Sequence, residues 1–405
     1  MKFLFTLFLL SLASTNAISG EVCETLNTPN DVLKCVVNHH LSIRMGKSEL
    51  SETELGIEVA KQRPNPDLDV DVTDTSGSGF GTEVSYLHTF ELGNKREARI
   101  KVAESIRNYT RSDLINRQEN LAIRTVTSMY RLRQINHELS VVTEIISTFK
   151  KIIGQYRNVG RLGPEQQISI SVFTMALEEN KLAKNSLLNE REVIVGRIET
   201  GIGKKIDFTD KILPELKSDW PKFESKDNLK SSKLQLALHE IDLAKANVEI
   251  EKSESTPNLA IGPKFGFERD ERNSFSIGIG VSVPLPLYQN NSAGRAKAMA
   301  SLNNSQLKFN FTKTELESEK QILIDLYNRI VGGISKTLSE KQIEHNHRNL
   351  HTMIKRGVVS ASIVIELHRQ IIDYYSKLHE QEILAVQAYW KILAIEGRIL
   401  AEELR

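Results

Sequence analysis

Between Ser274 and Leu287 every odd-numbered residue is apolar, and every even-numbered one is Ser, Gly or Pro. A period of two places all the apolar side chains on one face of a strand. Asn290 and Asn291 follow, and from Gly294 an Ala-rich, charged stretch reads as helix. Three other segments alternate in the same way. Leu68, Val70 and Val72 oppose Asp67, Asp69 and Asp71. Val84, Tyr86, Phe90 and Leu92 share a face with His88, opposite Glu83, Ser85, Thr89 and Glu91, with Leu87 as the exception. Leu259, Ile261, Phe265 and Phe267 oppose Ala260, Gly262, Lys264 and Gly266. Strands of this length, oily on one side and polar on the other, suit a tilted transmembrane β-wall. In hydrocarbon every backbone amide needs a partner, so the wall must close on itself. Such barrels begin at about eight strands, so four require further copies of the chain. Strand by strand, a soluble sheet with one wet face would alternate identically.

What surrounds the strands argues against the soluble sheet. The chain reads as two copies of one unit. "RPNPDLDVDV" is echoed by "STPNLAIGPKF", "ARIKVA" by "GRAKAM", and Gly160 by Gly357, at offsets of 193, 196 and 197 residues. Each copy predicts a moderate helix (29–63 and 226–255), two strands, a very long helix (94–153 and 293–352), a Gly-containing turn and a return helix (164–199 and 360–402). Proline closes the moderate helices, because Pro64, Pro66 and Pro257 cannot continue them. A helix of sixty residues reaches about 90 Å, too long for a globule. Leu121, Val126, Met129, Leu132, Ile135, Leu139 and Val142 form a narrow apolar stripe suited to coiled-coil packing. Residues 202–225 read as a connector with Trp220 as its packing anchor.

The N-terminus carries an address. Lys2, the apolar run Phe3 to Leu12 and small residues ending at Ala17 predict a secretory signal cut after Ala17. Cys23 and Cys35 are the only cysteines. In an oxidising compartment they can pair as a disulfide or stay as two separate thiols. A net charge of +1, with 26% charged and 6% aromatic residues, implies no nucleic-acid surface.

At these residues the chain resembles the TolC-type outer-membrane efflux channels, in particular their heavy-metal branch typified by CzcC and CusC. The resemblance rests on "FELGNKREARIKVAE" (Phe90–Glu104), "VPLPLYQNNSAGRAKA" (Val283–Ala298), the Pro-Asn strand starts and the turns at Gly160 and Gly357. It implies an α+β membrane protein: a homotrimer with four strands per protomer in a twelve-stranded barrel, and long antiparallel helical hairpins forming a periplasmic tunnel. It further implies a periplasmic adaptor (membrane fusion protein) and an inner-membrane pump of the RND class as partners. In the family, acidic residues a few positions past the tip glycine form a gate. Glu366 falls at one such position and Ile363 at the other, while Arg161 and Glu165 lie near the first turn.

Other constellations are weaker. Glu344, His347 and His351 stand at i, i+3 and i+7, where two imidazoles and a carboxylate could hold zinc or copper, or simply solvate a helix face. Asp67, Asp69 and Asp71 would make a cation-favouring ring or merely keep a watery interior polar. His39 and His40 read as surface residues. "GIGKKIDF" lacks the phosphate-loop spacing. No catalytic constellation stands out, and neither catalysis nor a cofactor is expected.

The expected organisation is signal 1–17, N-terminal loop and helix 18–63, first β-hairpin 64–92, first helical hairpin 93–200 and connector 201–225. The second half runs helix 226–256, second β-hairpin 257–288 and second helical hairpin 289–405. The expected function is a passive outer-membrane exit duct for heavy-metal cations or other small solutes. A periplasmic adaptor or a coiled-coil scaffold is the rival reading.

Overall fold

The computed structural model of the chain describes Cys23 and residues 26–404, apart from 76–78, 159–160, 216–219, 224–228, 270–272, 339–341, 344, 346–347, 350–351 and 354–359. The expected signal segment and the turn glycines Gly160 and Gly357 lie outside the described residues.

Helix α1 (Pro29–His39) opens on a capping box. The Thr28 hydroxyl accepts the Asp31 amide at 3.2 Å, and the Asp31 carboxylate accepts the Thr28 amide at 2.9 Å. It buries Val32, Leu33, Cys35, Val36 and Val37. The single helix expected to residue 63 is in fact broken. His40 adopts an extended backbone, and its ring Nδ1 accepts the Ser42 amide at 3.1 Å, capping α2 (Leu41–Ala60). The same ring lies on Gly201, where a Cβ would stand 2.3 Å from it. The break turns α1 onto the long helices, and His40 is a capping residue rather than surface filler.

Four strands follow the expected pattern: β1 (Asp67–Thr75), β2 (Gly79–Phe90), β3 (Leu259–Arg269) and β4 (Asn273–Ser282). They form one antiparallel sheet in the order β1-β2-β3-β4. The β2–β3 pairing brings together hairpins remote in sequence. β4 ends at Ser282, before Pro284 and Pro286, although the apolar alternation runs on to Leu287. Proline has no amide for a ladder, so pairing stops there.

From the sheet run α3 (Lys95–Arg157), α4 (Pro164–Ile202), α5 (Ser232–Ser253), α6 (Ser292–Ile334) and α7 (Ala361–Ile395). The 63 residues of α3 span about 95 Å. The second long helix is shorter than expected. α6 stops after 43 residues, about 65 Å, just past Gly332-Gly333. There the hydroxyls of Ser335 and Thr337 donate to the Gly332 and Ile334 carbonyls, at 3.1 and 2.7 Å. Side chains that satisfy carbonyls locally compete with continued helix. α7 also ends earlier than expected. Gly397 takes a left-handed backbone (φ 67°), the Arg398 amide donates to the Leu393 carbonyl and the Gly397 amide donates to Ala394. Those two bonds make the helix-terminating motif that glycine permits.

The main core gathers α1, the middle of α3, the end of α4, the middle of α6 and the end of α7. Val126, Met129, Leu132 and Ile135 from the predicted stripe are fully buried. Trp220 packs edge-on against Tyr327 at 6.0 Å. A second core toward the α3–α4 turn holds Val142, Ile145, Phe149, Ile153, Phe173 and Val364.

Candidate functional site

The sheet presents two faces of opposite chemistry. One row runs Val70, Val84, Phe265 and Ile277 across all four strands; the next runs Val72, Thr82, Phe267 and Phe275. Ile277 and Ile279 are 71% and 75% exposed. The opposite face pairs Asp69 with Ser85, Lys264 and Gly278, and Asp71 with Glu83, Gly266 and Ser276. Lys264 reaches Glu83 at 2.5 Å. Isoleucines displayed in rows beside a salt-bridged polar face suit a sheet between lipid and water.

Leu87, the residue that broke the alternation, has a structural reason. It sits on the polar face between Asp67 and Gly280, with its side chain about where a Cβ on Gly280 would come within 3.1 Å. A Cβ on Gly262 would fall 1.8 Å from the Tyr86 carbonyl oxygen. Only glycine admits so close a backbone approach. β1 and β4 form the two edges, and neither has a strand partner beyond β2 and β3 among the described residues.

The sheet passes into the helices through two similar junctions. Asn94 and Asn291 precede α3 and α6, each in the left-handed conformation (φ 59° and 55°). Beside the first, Arg99 donates to both carboxylate oxygens of Glu91 through its two terminal guanidinium nitrogens. The Arg99 hydrogen bond outweighs burial and holds the Glu91 carboxyl below its ordinary range. Beside the second, Asn291 donates to the Glu251 carbonyl and carboxylate at 2.9 and 2.6 Å.

The sequence-predicted residues fall as follows. Asp67, Asp69 and Asp71 lie together, exposed, on the polar face of edge strand β1. Glu366 is exposed on α7 and accepts hydrogen bonds from Arg369 at 2.8 Å and Gln370 at 2.9 Å. The Gln370 and Arg369 bonds lower its pKa. Arg161 is exposed three residues before α4, and Glu165 is exposed in its first turn. Cys23 and Cys35 are joined as a disulfide, their Cα atoms 5.6 Å apart. Glu344, His347 and His351 lie outside the described residues. Among those described, no cluster of His, Cys, Asp or Glu is suited to a metal ion, and no helix is long and apolar enough to cross a membrane.

One cluster was missed from sequence. Where α3 meets α4 and α7, Arg131 donates to Glu138 at 2.8 Å and to Glu190 at 2.8 Å. The His379 ring Nδ1 lies 2.6 Å from Glu138. Burial pushes the Glu138 carboxyl up, but bonds from His379 and Arg131 prevail and leave it below its ordinary range. The signal was present in "RLRQINHE", a dense polar run inside an apolar stripe, whose partners only the fold supplies.

No protein-family model and no curated protein matches the chain. Solved structures do match it along nearly its whole length. The open-state MtrE outer-membrane channel of Neisseria gonorrhoeae superposes with a TM-score of 0.71 at 12% identity, over 94% of this chain and 91% of that one. The outer-membrane channel OprN gives 0.71 at 12% identity, over 93% and 91%. The transmembrane channel CusC gives 0.61 at 12% identity, over 91% and 91%. The fold is that of the outer-membrane channels, and the structures that share it are channels rather than enzymes. CusC superposes less closely than MtrE, so the likeness does not single out a heavy-metal branch.

Proposed function

We propose that this chain is one protomer of a TolC-type outer-membrane exit duct, a passive conduit in a tripartite efflux system. The observation that carries the reading is an open four-stranded sheet, apolar on one exposed face and polar on the other, continuous with helices of up to about 95 Å. Because β1 and β4 run antiparallel, the edge of one copy can accept the opposite edge of the next. Repetition of that head-to-tail contact closes a ring. Three copies give twelve strands, above the minimum of about eight for a closed barrel.

In this arrangement the apolar rows face lipid in the outer membrane, and the polar rows line a watery lumen. The helical hairpins extend into the periplasm toward an adaptor and an inner-membrane RND-type pump, which supplies the energy. Heavy-metal cations or other small solutes are the proposed cargo, with Asp67, Asp69 and Asp71 favouring cations along the wall. Rearrangement near Arg161, Glu165 and Glu366 would open the periplasmic mouth.

The test is fractionation followed by conductance. A detergent-dependent, heat-resistant trimer in the outer-membrane fraction that forms ion-conducting pores in planar bilayers supports the duct. Release of the chain as a soluble monomer by osmotic shock overturns it, and would favour an adaptor or scaffold instead. Growth of a deletion strain across metals and dyes then identifies the cargo.

A further inference from the structure

The helices beside the sheet stand in a row whose end members are α2 and α6: α2 packs on α3, α3 on α5 and α5 on α6. On α2 the side toward α3 buries Ile43, Gly46 and Ile57. The opposite side carries Leu41, Met45, Ser48, Glu52, Leu55 and Val59, all exposed, at spacings of four, three, four, three and four. That spacing is a heptad seam, the pattern one helix presents to another. Met45, Leu55 and Val59 are 63%, 66% and 63% exposed, so the seam is uncovered in the single chain. On α6 the inner side buries Ala298 and Ser305, while Ala296, Ala300, Leu307 and Phe311 are exposed on the other.

We propose that the α2 seam of one copy receives α6 of the next, a helix-on-helix seal alongside the joint between β4 and β1. Continuity fixes the occupant. α2 leads into edge strand β1, and edge strand β4 leads into α6. A copy that joins β4 to β1 therefore lays α6 beside α2, and the two run antiparallel. Their heights agree as well. Both helices are tied at the sheet: the Lys61 carbonyl accepts Arg96 Nε at 2.6 Å, and Asn291 donates to the Glu251 carbonyl at 2.9 Å. Met45 and Leu307 each lie fifteen residues, about 23 Å, from the sheet end of their helix. Leu41 and Phe311 each lie nineteen residues from it, about 29 Å. Nearer the sheet, at about 8 and 6 Å, Leu55 meets the small Ala296.

Charge points the same way. Residues 49–60 hold Glu49, Glu52, Glu54 and Glu58 and no base, whereas 292–313 hold Arg295, Lys297, Lys308 and Lys313 and no acid. Some of these are engaged within the chain, Glu49 by Arg117 and Lys308 by Glu240 among them. Among the described residues, Glu52, Glu54, Arg295 and Lys297 have no ion-pair partner. Setting α2 against α2, or α6 against α6, would oppose like charges, so the complementary contact is head-to-tail. The inference rests on the duct reading, because its occupant is a second copy of the chain.

Cysteine pairs in the full-length protein test it. Met45→Cys with Leu307→Cys, purified in detergent and treated with a short bis-maleimide, should give covalent dimers and trimers on denaturing gels. The Cys23–Cys35 disulfide offers the reagent no thiol. Leu41→Cys with Phe311→Cys should link as well as the first pair. Met45→Cys with Ala296→Cys, mismatched in height by about 17 Å, should link about tenfold less. Light scattering of the untreated sample counts the chains. A trimer in which the matched pairs link no better than the mismatched one overturns the seam and leaves the duct standing. A monomer that never links overturns both. Linking of Met45→Cys alone would reveal a two-fold contact and overturns the proposal too.

Discussion

Ile277 is the position where a lipid-facing sheet and a water-facing sheet make opposite demands. It lies in the middle of β4, opposite Phe265, in the row that also holds Val84 and Val70. In the isolated chain it is 71% exposed, so in water a lysine there would cost within about 0.5 kcal/mol. If the row faces hydrocarbon near the bilayer midplane, Ile277→Lys costs about 2–4 kcal/mol. That corresponds to roughly 30- to 900-fold in the folding equilibrium. Ser276→Lys is the internal control: the same charge one residue away, on the polar face beside Gly266, should cost little. The assay is reversible denaturant unfolding of protein refolded into phospholipid vesicles, with intrinsic tryptophan fluorescence as the signal. A cost below about 0.5 kcal/mol for Ile277→Lys, or equal costs for the two variants, would refute the assignment of faces.

Further outcomes follow from other parts of the molecule. Gly262→Ala forces a Cβ to within 1.8 Å of the Tyr86 carbonyl and should break the β2–β3 ladder, read as loss of the assembled, heat-resistant species on gels. Cys35→Ser removes the disulfide to Cys23, 12 residues away, and should lower unfolding free energy by about 3 kcal/mol in denaturant titrations. Adding reductant should reproduce that loss in wild type and change nothing in the variant. Burial lowers the His40 pKa from 6.5, so the unfolded chain takes up the proton first. The stability from its neutral cap is complete above pH 6.5 and is lost as pH falls toward the lowered folded value. Thermal melts of His40→Asn, which caps without titrating, should lack this acid loss of about 1 kcal/mol.

The alternating segments, the proline stops and the apolar stripe of α3 were legible in the sequence because each is a local rule. Strand faces follow from a period of two, and the buried Val126, Met129 and Leu132 from helical spacing. Leu87 resisted that reading, since its place over Gly280 depends on a cross-strand neighbour nearly two hundred residues away. The break at His40 depends likewise on the ring meeting Gly201 in α4. Glu366 was singled out by spacing from a turn, yet its bonding is local, to Arg369 and Gln370.

The sequence by itself determined which faces are oily, where helices start and how long the hairpins can be, because those properties arise from near neighbours along the chain. The tertiary structure decided which hairpins pair, how α1 turns at His40 onto the long helices, and that His379 and Glu382 lie buried against Glu138 and Gln134. A buried charge is defined by what surrounds it, and that surrounding is assembled from residues some 240 positions apart.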